Sequence, residues 1–102
     1  MQFIITAYNA TDEGVLERRL KVRPDHLENI ARVKERGSVI CAGGLTDGEG
    51  SPVGSFLVME FESREMLDQY LDSEPYAACG VWQDIKVETC NVVIMNDEMI
   101  GK

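Results

Sequence analysis

Apolar residues recur along this chain with two different periods, and the switches between them mark its strands and helices. Phe3 to Tyr8 (FIITAY) is β-branched and aromatic over the length of a strand and runs into the polar cluster Asn9-Ala10-Thr11-Asp12. From Gly14 to Val22, the apolar Val15, Leu16 and Leu20 are set among Glu17, Arg18, Arg19 and Lys21, a short amphipathic helical segment. A proline disfavours helical backbone in the residue before it, so Pro24 predicts a break or kink near Val22-Arg23. The main helix is then expected from Pro24 to about Arg36, with Leu27, Ile30, Ala31 and Lys34 on one stripe and Gly37 as its left-handed stop. Ser38 to Ala42 (SVICA) predicts a second strand halted by the turn glycines Gly43-Gly44, and Thr46 to Pro52 is a loop by composition.

Val53 to Phe61 predicts a third strand, and it is apolar on both faces. Ser55, Leu57, Met59 and Phe61 alternate with Phe56, Val58 and Glu60. A small antiparallel sheet with helices on one side should show a polar second face, so something must cover this one, and a second copy of the same sheet is the simplest cover. Ser63 can cap a helix running to about Asp72, buried through Met66, Leu67, Tyr70 and Leu71. Pro75 ends it, and Ser73-Glu74-Pro75-Tyr76 reads as an exposed turn. Residues 77–83 (AACGVWQ) read as loop or a short turn, Asp84 to Ile94 as the last strand, and Asn96 to Lys102 as a polar tail that frays.

The order is β-α-β-β-α-β, with two βαβ halves at roughly residues 1–43 and 53–94. This is the α+β, ferredoxin-like split βαβ arrangement. It places both helices on one face of a four-stranded antiparallel sheet and leaves the other face for dimerisation. At 102 residues the expectation is a single domain, 1–102.

Charge narrows the partners. Ten basic against 18 acidic residues give a net charge of -8, which disfavours nucleic acid and anionic membrane surfaces, both polyanions. Met1-Gln2-Phe3-Ile4-Ile5 lacks the basic start and long apolar run of a secretory signal, and no apolar stretch is long enough for a membrane span, so a cytoplasmic location is expected. Cys41, Cys79 and Cys90 are scattered, without a C-x-x-C pair, which fits reduced thiols. One histidine and no close-spaced ligand pair predict no metal, and no cofactor fingerprint is present. Asp47-Gly48 opens no calcium loop, because the bidentate acid such a loop requires is replaced by Val58.

The chemistry starts at the single histidine. Read as part of the first turn after Pro24, His26 would feel the positive end of the helix dipole, which favours the neutral ring a general base requires. A lone histidine near an apolar helix face is, however, ordinarily a packed side chain. Cys79, in a small-residue loop, has no neighbour in sequence to activate it.

Arg19, Arg23-Pro24, His26-Leu27, Gly37, Ala42-Gly43, Gly54-Ser55, Glu60 and Glu74-Pro75-Tyr76 together resemble the YciI-like protein family, over residues 1 to about 92. The resemblance implies a ferredoxin-like fold and a dimer related to the dimeric α+β barrels and similar to muconolactone isomerase. It also implies a pocket holding a histidine and an acid. The histidine of the family's R-P-x-H-L motif falls on His26, the acid of its D-P-Y motif on Glu74, and the serine of its G-S pair on Ser55. Glu74 replaces the usual Asp and is one methylene longer, which puts its reach to His26 in question. The few family members of known activity, such as a chlorohydroxyquinol dehydrochlorinase, act on small oxidised aromatics.

Two functions follow. The first is an isomerase or lyase that uses His26 and Glu74 for acid–base chemistry on a small polar or aromatic substrate. Ser55 would orient that substrate, Arg19 or Arg23 would meet an anionic group, and Tyr76 and Trp82 would supply apolar walls. The second is a non-catalytic dimer that binds a small ligand or another protein, suggested by the lack of a strong nucleophile, a metal set or a cofactor motif.

Overall fold

The computed structural model describes residues 1–95 and the backbone of 98 and 99; the expected frayed tail, Asn96 to Lys102, otherwise lies outside the described residues. The elements in chain order are β1 (Gln2–Asn9), α1 (Val15–Glu35), β2 (Val39–Thr46), β3 (Pro52–Glu60), α2 (Arg64–Ser73), α3 (Pro75–Ala78), β4 (Trp82–Cys90), β5 (Ile94–Met95) and β6 (Glu98–Met99). The main sheet has the order β2-β3-β1-β4, every neighbouring pair antiparallel, which is the ferredoxin-like arrangement. Among the described residues no helix is long and apolar enough to cross a membrane.

Alternation sets the core. Phe3, Ile5 and Ala7 of β1 and Ser55, Leu57 and Met59 of β3 are buried on one face, opposite one another in the register Phe3 to Met59, Ile5 to Leu57 and Ala7 to Ser55. Against them pack Val22 and Val33 of α1, Leu67 and Tyr70 of α2, Tyr76 of α3, and Val81 and Trp82. On the other face Ile4, Thr6, Phe56 and Val58 are half-buried and Tyr8 is exposed, so strand three is apolar on both sides as its sequence indicates. Ser63 caps α2, its hydroxyl accepting from the Met66 amide at 3.2 Å. In α2 the burial is narrower than expected: Leu67 and Tyr70 are inside, but Met66 is exposed.

Several expectations fail, those in α1 and β2 for packing reasons. The first helix does not break at Pro24: α1 is continuous over 21 residues with Pro24 inside it. A proline there removes one backbone hydrogen bond, to the carbonyl of Leu20, but both residues lie on the exposed side where water can serve that carbonyl. On the inner side Val15, Val22, His26, Asn29 and Val33 form an unbroken buried stripe that holds the two halves in line. That stripe faces the sheet; of the expected one only Ile30 packs against the core, half-buried, while Leu27, Ala31 and Lys34 are exposed.

Gly43-Gly44 do not stop β2, which runs through them to Thr46. The ring of Phe56 lies over Gly43, where a Cβ would come within 2.7 Å of it, so the glycine clears space in a strand rather than making a turn. Gly54 is confined in the same way against the Ala7 carbonyl of the neighbouring strand. Finally, residues 75–78 form the short helix α3, and the last strand starts at Trp82 and ends at Cys90, leaving Ile94 to a separate hairpin strand.

Candidate active site

α1 carries His26 in the middle of its buried stripe, far from either helix end, so the helix dipole expected to act on the ring has no part in its chemistry. A carboxylate takes that role. Glu74 lies in the corner between α2 and α3, where it caps both helices, and it is not the exposed turn acid expected from its neighbours: it is fully buried. Its Oε1 lies 2.5 Å from His26 Nδ1. The extra methylene therefore does not prevent contact, and the pairing fixes the ring: with Nδ1–H donated to Glu74, Nε2 is left as the acceptor.

Glu74 is held from all sides. Oε1 also accepts from the Tyr76 amide at 3.1 Å, and Oε2 accepts from the Tyr70 hydroxyl at 2.8 Å and from Asn29 Nδ2 at 3.2 Å. Burial alone would push the carboxyl pKa up. The hydrogen bond and charge of His26, with those of Tyr70 and the Tyr76 amide, outweigh it, and the pKa lies below the ordinary carboxylate value. Tyr70 is raised by burial and by the Glu74 charge, so its hydroxyl stays protonated and donating.

His26 borders a cavity of about 610 Å³ between α1, the β2–β3 pair and α3. Arg19, Arg23, Ser55 and Tyr76 line the same cavity, among apolar side chains that include Leu16, Leu20 and Ile30. Arg19 is half-buried and its guanidinium donates to Asn9 Oδ1 at 2.8 Å, the Gly54 carbonyl at 3.0 Å and Ser55 Oγ at 2.9 Å. All three acceptors are neutral, so the charge is positioned without being cancelled; burial lowers its pKa, yet a guanidinium remains charged. Among the described residues neither Arg19 nor Arg23 has a carboxylate partner. Ser55 Oγ accepts from both Arg19 and, at 3.1 Å, Trp82 Nε1, which leaves its O–H as the group free to donate.

The rings are ordered around the histidine. Tyr76 stacks on His26 with centroids 3.9 Å apart and planes 13° from parallel. Arg19 Cζ lies 4.8 Å from the Tyr76 ring centroid. Trp82, expected as a cavity wall, sits behind Ser55 instead, edge-on to His26 at 5.9 Å, because its buried indole N–H takes the serine as its partner. A second cavity of about 580 Å³ lies beyond Glu74 and is lined by Asn29 and Tyr70, the two donors to Oε2. Among the described residues no cluster of His, Cys, Asp or Glu suits a metal ion.

Sequence reasoning did not single out Asn29, Tyr70 or Asn9 for the site. Helical spacing carried a signal for two of them: Asn29 follows His26 by three residues and so shares its helix face, and Tyr70 precedes Glu74, the acid it donates to, by four.

Residues 1–91 match the YCII-related domain. The chain is 33% identical over 94 residues to Protein YciI of Escherichia coli O6:H1, covering 86% of this chain and 94% of that protein. It is 29% identical over 94 residues to Xenovulene A biosynthesis cluster protein asL2 of Sarocladium schorii, covering 84% and 82% of the two. Among solved structures its fold is similar to 5-chloro-2-hydroxyhydroquinone dehydrochlorinase of Burkholderia phenoliruptrix in complex with 2,5-dihydroxybenzoquinone, with a TM-score of 0.78, 23% identity, and 88% of this chain and 93% of that one covered. With one domain profile running from the first residue to the end of β4, over the histidine, serine and acid of the cavity alike, this chain belongs to the YCII-related domain family.

Proposed function

We propose that this protein is a small-molecule enzyme of isomerase or lyase type, in which His26 moves a proton and Glu74 holds its ring and stabilises the cation that forms. The observation that carries the reading is the 2.5 Å contact between His26 Nδ1 and a fully buried carboxylate, beside a cavity that also presents two arginines with no carboxylate partner among the described residues. A buried acid behind an imidazole fixes its tautomer and stabilises the cation that forms when Nε2 takes a proton. Besides His26, the cavity's polar side chains are donors, among them Arg19, Arg23 and the Ser55 hydroxyl, so it favours a substrate rich in acceptor oxygens and carrying negative charge. The apolar side chains around them suit a ring. The dehydrochlorinase of similar fold, solved with a dihydroxybenzoquinone, supports a small oxidised aromatic as the starting point for a substrate search.

The test is hydrogen exchange in deuterated water, followed by proton NMR, over a panel of small enolisable ring acids and chlorinated hydroxyquinols. The parent should exchange or convert at least one member, and His26→Ala should lower that rate by about 10²–10⁴. If no member reacts, or if His26→Ala keeps the parent's rate, the reading is wrong and a non-catalytic ligand-binding role takes its place.

A further inference from the structure

Tyr76 has a feature that a wall residue does not need. Its ring is buried, with 1% of its surface exposed, yet among the described residues nothing hydrogen-bonds to its hydroxyl. No sealed polar side-chain atom among the described residues lacks a partner, so this hydroxyl must meet open space, and the open space Tyr76 borders is the His26 cavity. Its neighbours there are the charges of Arg19, over the ring at 4.8 Å, and Arg23. Burial raises the Tyr76 pKa and the two arginines only partly oppose it, which keeps the phenol protonated and able to donate at neutral pH. Arg19 spends three of its five N–H groups on Asn9, Gly54 and Ser55, leaving two to donate.

We propose that the Tyr76 hydroxyl, with Arg19 and Arg23, forms the subsite for the substrate oxygen that becomes negative, and that the substrate class is an enolisable or phenolic ring whose oxygen is bound as an oxyanion. His26 and this subsite are then the two ends of one proton transfer. When Nε2 takes a proton from a C–H beside a carbonyl, the C–H bond breaks, its electron pair forms C=C, and the carbonyl π pair moves to oxygen. That oxyanion receives the Tyr76 hydrogen bond. The pair then returns from oxygen, either to form a C–H bond at another carbon with the proton held on His26, or to expel a halide from the adjacent carbon. Tyr76 is ionised in neither outcome, and preorganised donors of this kind act where charge develops. Its part in turnover rests on the proton-transfer reading above, but the binding of an oxyanion does not.

A nitrophenol serves as the probe, because its colour reports whether it is ionised. The parent should bind it as the phenolate and lower its apparent pKa, and Tyr76→Phe, which keeps the ring and the stack on His26, should weaken that binding about tenfold or more. In the parent, the Cζ carbon resonance of labelled Tyr76 should move as the phenolate saturates the site, a readout that does not depend on the variant folding. A parent that binds no nitrophenolate, saturation that leaves the Tyr76 resonance still, or a folded Tyr76→Phe with the parent's affinity each overturn the proposal. The two readings also fail separately. Nitrophenolate bound through Tyr76 in a protein that exchanges no substrate proton keeps the oxygen subsite and removes the proton transfer. Undiminished exchange together with undiminished nitrophenolate binding in Tyr76→Phe does the reverse.

Discussion

Glu74 concentrates the physical tension of this molecule in one residue. A carboxylate with no exposed surface is costly unless every oxygen is served, and four donors serve this one: His26, Asn29, Tyr70 and the Tyr76 amide. Because its folded pKa is lowered, the stability it contributes is fully present above the unfolded value, about 4.3, and is lost as pH falls through the folded value. Glu74→Gln should therefore cost about 2–3 kcal/mol at pH 7, and the gap between variant and parent should narrow as pH falls below the ordinary carboxylate range, as denaturant titrations over a pH series would show. Tyr70→Phe removes one donor to the ionised form, which raises the folded pKa of Glu74. Its acid unfolding midpoint should move to higher pH than the parent's, with a loss of about 1.5–3 kcal/mol at neutral pH; an unmoved midpoint would mean the Tyr70 bond does not stabilise the charge. His26 was singled out as the one histidine of the chain, and Glu74 and Ser55 as candidates only through short motifs. The depth of Glu74 was not legible, because Ser73-Glu74-Pro75 has the composition of a surface turn and its burial depends on a tyrosine and an asparagine arriving from two different helices.

At the scale of elements, the sheet was legible and the first helix was not. Strand alternation is a local signal that survives in the fold: Ser55, Leu57 and Met59 share one face as their spacing indicates, although only the packed helices decide that this face is the inner one. Pro24 gave an equally local signal that packing overrode, since the stripe through Val22, His26, Asn29 and Val33 requires one continuous helix across the proline. Gly43 misled for the same reason: it looked like a turn residue until the ring of Phe56 was placed above it. Each override leaves a testable cost. Pro24→Ala restores an N–H for the Leu20 carbonyl and should stabilise the protein by up to about 3 kcal/mol, seen as a higher denaturant midpoint at unchanged slope. A lower midpoint would show that the proline sets the path of α1 and with it the position of His26. Gly43→Val should displace the Phe56 ring and destabilise by about 1–3 kcal/mol, whereas substitution of Gly48, which has open space around it, should be close to neutral.

For the molecule as a whole, the open face of the sheet is the unresolved surface. The register places Ile4, Thr6 and Tyr8 of β1 beside Phe56 and Val58 of β3 and Cys41 of β2, while β4 closes the face with Asp84, Lys86 and Glu88. Lys86 and Glu88 pair with each other at 2.9 Å, so the charged strand is satisfied within one chain and the apolar strands are not. Homodimerisation through this face is the expected outcome: the apolar strands of one copy would cover those of the other, leaving the charged edge in solvent. Net charge works against it, since two chains of -8 repel, and screening by salt should tighten the pair. Val58 sits in the middle of the apolar strands, and Val58→Lys tests the interface in an informative direction. The added positive charge reduces the repulsion between two acidic chains, so any dissociation must come from burying an unpaired ammonium and not from the overall field. Sedimentation velocity at micromolar concentration should show the parent as a dimer and Val58→Lys as a monomer, an affinity loss of about a hundredfold or more. If Val58→Lys stays dimeric, the two copies meet on another surface. A monomeric parent would leave the apolar face to a different partner.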